Sequence, residues 1–81
     1  MTELIAAHKQ NLKNAQDEAR RIANAMMLDL GRIKNAADFA RMEVSTLVMR
    51  TARLVELQGV VLDQQARLRE LAEEALREAR G

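Results

Sequence analysis

One column of apolar residues runs through nearly the whole chain and limits what it can fold into. Stepping by seven from Ile5 meets Leu12, Ala19, Met26, Ile33, Ala40, Leu47, Leu54, Val61, Leu68 and Ala75, and none is polar. Apolar residues make up 48% of the sequence. Each step is therefore close to an even chance, and an unbroken column is not a by-product of composition. A seven-residue repeat places side chains on one stripe of a helix and predicts a seam against other helices.

Composition agrees. There is no Pro, Trp, Tyr or Cys, Phe39 is the sole aromatic residue, and 31% of the chain is charged. Ala, Leu, Arg, Glu, Gln and Met are strong helix formers, and their dominance has the character of a long-helix or coiled-coil sequence. Eighty-one residues make one small domain with a modest core, so association with other chains is expected.

Two places interrupt the pattern. Leu30-Gly31 has the form of a helix end with Gly just past it. Asn35-Ala36-Ala37-Asp38 then has the form of a fresh helix start, with an acidic residue in the first turn. Together they predict a turn over Gly31–Asn35. Against this, Met26, Ile33 and Ala40 keep the seven-residue phase across the segment, and a lone Gly inside a helix costs only about 1 kcal/mol. Gly59 is a second candidate break, giving a three-helix arrangement. The expected fold class is all-α. Two long helices, about 2–30 and about 36–80, form an antiparallel hairpin, or one helix is near-continuous; either packs in an oligomeric helical bundle.

The stretch from Val44 to Leu71 is the expected interaction surface. Val44, Leu47, Val48, Leu54, Val55, Leu57, Val61, Leu62, Leu68 and Leu71 cannot all lie on one narrow stripe, and a helix apolar on several faces is covered by several neighbours. Gln58 belongs to the same surface. With Val44, Thr51, Gln65 and Ala72 it forms a column beside Leu47, Leu54, Val61 and Leu68. In the N-terminal half the corresponding column holds Lys9 and Gln16. Polar residues in a seam fix register at some cost in stability, so this column is either a register-setting companion or solvent-facing. Met26, Met27, Met42 and Met49 are either core filler or an adaptable contact surface.

No constellation carries chemistry. His8 is the only histidine and Ser45 the only serine, so neither a nucleophile pair nor a metal site is expected. The carboxylates Glu70, Glu73, Glu74 and Glu78 alternate with Arg67, Arg69, Arg77 and Arg80, as on a solvated helix face. Asp17–Arg21, Asp63–Arg67 and Glu73–Arg77 have the spacing of supporting i,i+4 pairs. No catalytic residue, cofactor or small-molecule substrate is expected, and the chain is read as non-enzymatic. A net charge of +1 offers no basic patch for nucleic acid or an anionic membrane. No signal peptide and no run long enough to span a membrane is visible. A cytoplasmic location is the default expectation, with secretion by a signal-less route left open.

The segment Thr51-Ala-Arg-Leu54-Val-Glu-Leu-Gln58-Gly59-Val-Val-Leu62 resembles the centre of glutamine-type SNARE helices, where a Gln followed by Gly lies in a bundle layer between apolar layers. That resemblance implies a bundle-forming helix. The chain departs from the family in having no membrane anchor and no Cys cluster, and Gln65 stands where an apolar layer is usual. In size and expected hairpin the chain also resembles the small helical chaperones of type III secretion, which implies masking of a partner's amphipathic helix. The primary expectation is an assembly protein that self-associates or packs with a helical partner.

Overall fold

The computed structural model describes residues 2–81. Three helices follow one another: α1 (Thr2–Gly31), α2 (Ala36–Arg41) and α3 (Val44–Arg80). Helices α1 and α3 pack side by side in a rod of 67 × 15 × 14 Å. Of the two arrangements open from sequence, the hairpin is the one formed. Gly59 lies inside α3 and breaks nothing.

The hairpin's register is set by bonds between the helices. His8 Nδ1 and Gln64 Oε1 are 2.5 Å apart, and Arg53 Nε donates to Glu18 Oε2 at 2.5 Å. The helices therefore run antiparallel. Stepping seven forward in α1 and seven back in α3 from His8 and Gln64 sets Ala15 opposite Leu57. These are the two buried residues of the described chain, 6% and 3% exposed respectively. The same register brings Thr2 level with Glu70, so the end of α3 beyond Leu71 extends past the start of α1. Leu76, half exposed, lies on that overhang.

The turn is a compound corner. α1 closes with two tight bonds, Arg32 N–H to Asp29 O at 3.3 Å and Ile33 N–H to Leu30 O at 3.1 Å. Three-residue bonding of this kind satisfies terminal carbonyls without a left-handed residue. Gly31 is the last helical residue and has no positive φ, so its expected role as a left-handed cap is replaced by a tightened last turn. The expected helix start is formed. Asn35 Oδ1 accepts from the Asp38 N–H at 2.9 Å, and Asp38 Oδ2 accepts from the Lys34 N–H at 3.1 Å. Asp38 thus reaches back one residue past the cap itself, to the N–H that precedes Asn35, in a variant of the capping box.

The helix expected over about 36–80 is interrupted at Met42–Glu43, where Met42 is extended (φ −70, ψ 139). Local propensity does not cause this, since Met and Glu are good helix formers. The register does. Position 41 is level with Gly31, where α1 ends, so a straight helix would carry residues 36–41 beyond any surface to pack against. Bent at Met42, α2 closes instead around a hollow of about 320 Å3 bordered by Asp29, Ile33, Thr46 and Leu47.

Candidate interaction surface

The apolar column turns inward along both long helices, while its member on α2, Ala40, is exposed. Leu47, Leu54, Val61, Leu68 and Ala75 in α3, and Ile5, Leu12, Ala19 and Met26 in α1, are all half-buried. The companion column is a different one from that expected. Seam partners of Leu47, Leu54, Val61 and Leu68 lie three residues on, at Arg50, Leu57, Gln64 and Leu71, and not four on. In α1 the equivalent residues are His8, Ala15, Ile22 and Asp29, none of them exposed. Gln58 and Gln65 are exposed; the glutamine in the seam is Gln64.

The physical reason is charge burial. A seam built on the four-residue side would place Lys9 and Gln16 between the helices, with no acidic partner for the lysine, and burying an unpaired ammonium is costly. The three-residue side matches like with like. His8 meets Gln64, Ala15 meets Leu57, and Asp29 meets Arg50 in an ion pair. Asp29 and Arg50 are not level, but helical side chains lean toward their own N-terminus. In antiparallel helices that lean brings the two groups toward each other. His8, Asp29, Arg50 and Gln64 are the residues sequence reading missed. The signal was present: only this column pairs every polar residue of one half with a complementary residue of the other.

The hairpin's two flanks differ. On one, Arg53 joins the helices, donating to Glu18 from Nε at 2.5 Å and from Nη2 at 3.1 Å, and to Glu56 at 3.0 Å. The guanidinium bonded to it holds the Glu18 carboxyl below its ordinary range, and the two carboxylates raise Arg53 in turn. Among the described residues the ion pairs are Asp29–Arg32, Asp29–Arg50, Glu18–Arg53 and Arg53–Glu56. The expected pairs Asp17–Arg21, Asp63–Arg67 and Glu73–Arg77 are not among them. Exposed i,i+4 charges gain little from closing.

The other flank is an open groove of about 590 Å3, with Ala19, Ala23, Leu54, Leu57, Val61 and Leu62 among its walls and Gln16, Arg20 and Gln58 at its edges. It runs into the outer face of α3. Val48, Val55 and Leu62, seven residues apart, are 61%, 64% and 59% exposed. Val44, Thr51, Gln58 and Gln65 form the column beside them, and Ser45, Ala52, Gly59 and Ala66 the next; all are exposed. No charged residue occurs in these three columns between Val44 and Ala66. Over this span α3 carries its charges, Arg50, Arg53, Glu56 and Asp63, on the seam or the opposite flank.

The expected interaction residues thus divide. Leu47, Leu54, Leu57, Val61, Leu68 and Leu71 build the hairpin's own seam. Val44, Val48, Val55, Gln58 and Leu62 lie on the uncharged outer face. Among the described residues no acidic or histidine cluster suits a metal ion, and no helix is long and apolar enough to cross a membrane. Comparison with known protein families, curated proteins and solved structures finds no match for this chain.

Proposed function

We propose that the chain is a non-enzymatic helical assembly module. The α1–α3 seam makes a rigid hairpin, and the outer face of α3 packs against helices of another chain. The single observation that carries this reading is the uncharged, exposed face from Val44 to Ala66. A helix whose outer surface meets only water normally carries charge there. About 33 Å of α3, at 1.5 Å per residue, carries none. Val44, Val48, Val55 and Leu62 stand exposed within that uncharged surface, and apolar groups clustered on a surface in this way mark interaction sites.

The test places charge on each flank of α3. Glutamate at Val48 and Leu62 together should leave the hairpin folded, because both side chains are exposed, and should abolish association. Glutamate at Met49, 72% exposed and outside the uncharged face, should do neither. Gel filtration of the tagged chain from its own cells, with circular dichroism of the purified variants, reads both effects. If wild type and all variants elute alike as the free 9.1 kDa chain, the assembly reading is wrong.

The groove supports a second reading, a chaperone-type cover for a partner's amphipathic helix. Its floor is apolar and Arg20 stands at its edge, which suits a helix with acidic flanking residues. A client-dependent rise in melting temperature, lost on changing Ala19 and Ala23 to larger residues, tests it.

A further inference from the structure

We infer that the groove between α1 and α3 takes a helix of another protein, apolar on the side that enters the groove and acidic on the side that meets α1. This names the chemistry of the partner in the assembly reading, and it rests on that reading.

Packing sorts the charge of the chain. Stepping by seven from Thr2 and from Ala6 through α1, and from Val44 and from Val48 through α3, traces the four columns beside the seam on the groove side. They hold Lys9, Lys13, Arg20 and Arg69 and no carboxylate. All four cations are exposed. None takes part in the ion pairs found among the described residues. The opposite flank mixes its signs. Arg53 bonds Glu18 and Glu56 there, and Arg21, Asp63 and Glu70 lie on the same side. A chain of net charge +1 thus presents one flank that is basic throughout. Like charges side by side without counterions repel one another and favour an acidic occupant.

The layout of the cations gives the occupant's shape. Lys9, Lys13 and Arg20 stand on the α1 wall alone, four and seven residues apart, over about 17 Å at 1.5 Å per residue. The α3 wall is uncharged from Val44 to Ala66, and its one cation, Arg69, is level with Glu3 at the open end of the hairpin. An occupant therefore meets charge on one side and uncharged surface on the other. An amphipathic helix answers both, with acidic residues along one flank at three-, four- or seven-residue spacing.

The floor of the groove makes the same demand. Ala19 and Ala23 are small, and with Leu54, Leu57 and Val61 they leave a trough that the apolar face of a third helix fills. An anionic bilayer is flat and would leave the trough empty. Helices that seek a bilayer surface also sink large apolar and aromatic side chains into it. The one aromatic residue here, Phe39, lies on α2 at the corner, away from the basic flank.

Two designed peptides of about 18 residues, about 27 Å of helix, test this. Both carry the same leucine stripe at three- and four-residue spacing; one has Glu beside the stripe and the other Gln. Fluorescence anisotropy of each labelled peptide against the full chain reads affinity. The Glu peptide should bind at least about tenfold tighter, since each exposed ion pair is worth about two- to threefold and three can form. The advantage should shrink as salt is raised. Lys9→Gln, Lys13→Gln and Arg20→Gln together should remove it. Arg21→Gln, Arg67→Gln and Arg77→Gln, on the opposite flank, should leave it intact. All six side chains are exposed, so circular dichroism should show both triple variants folded. Equal affinity for the two peptides overturns the inference, and so does an equal loss in the two variants. Binding to equimolar phosphatidylglycerol–phosphatidylcholine vesicles, with neither peptide bound, would give the flank to a membrane and overturn it too. So would a chain that dimerises unaided and is not displaced by the Glu peptide. In cells, a larger complex that is lost with glutamate at Val48 and Leu62 but kept by the Lys9, Lys13 and Arg20 variant would defeat the acidic partner alone. A wild-type chain that is free in cells would defeat the assembly reading as well.

Discussion

Leu57→Ala is the sharpest probe of the hairpin. Leu57 is the most buried side chain described, at 3% exposure, and its register partner is the small Ala15. Truncation removes three carbon atoms from the seam. At about 0.8 kcal/mol per buried methylene, the transfer loss alone is about 2.4 kcal/mol. The added cavity penalty should be modest. Leu57 also borders the groove, so the space left behind opens to water instead of remaining a sealed void. The expected cost is therefore about 2–3 kcal/mol, toward the lower end for buried leucines. With a slope of about 1 kcal/mol per molar urea for a chain this small, the midpoint should fall by about 2 M or more. Helicity followed by circular dichroism during urea titration measures it, at one fixed chain concentration because association shifts apparent stability. Met49→Ala, on an exposed side chain, serves as the reference and should stay within about 0.5 kcal/mol of wild type. A Leu57→Ala cost below about 1 kcal/mol, or one equal to that of Met49→Ala, would refute the register that sets Leu57 against Ala15.

Two other predictions follow from local structure. Gly31→Ala should stabilise the chain by about 0.5–1 kcal/mol, because Gly31 is helical, has no positive φ and has open space where a Cβ would be; a drop in urea midpoint would show that a left-handed cap is needed there after all. Glu18 has its folded-state pKa lowered by the Arg53 bond, so its contribution should be complete above the unfolded value of about 4.3 and be lost as pH falls through the lower folded value. Glu18→Gln should flatten the stability profile in that acid window and nowhere else, as read from melting temperatures at stepped pH.

The helical class, the seven-residue column and the cap at Asn35 were all legible in the sequence, since each rests on local spacing and short-range hydrogen bonding. The break at Met42–Glu43 was not. Nothing in those two residues opposes a helix, and the corner exists only because α1 ends level with position 41. The excess of apolar residues between Val44 and Leu71 was also legible, but not its division into an inner seam and an outer face.

An unbroken apolar column in the amino-acid order was enough to turn one stripe of each long helix inward, because the repeat leaves helical side chains no other common face. It left undecided which of two equally periodic neighbours would join that column. Only the antiparallel packing of α1 on α3 decided this. It placed His8 against Gln64 and Asp29 near Arg50, satisfying polar groups that the other choice would have buried without partners. That decision moved Gln58 out of the seam and left Val48, Val55 and Leu62 facing outward. The surface most suited to a partner is thus a consequence of how the hairpin satisfied its own polar residues.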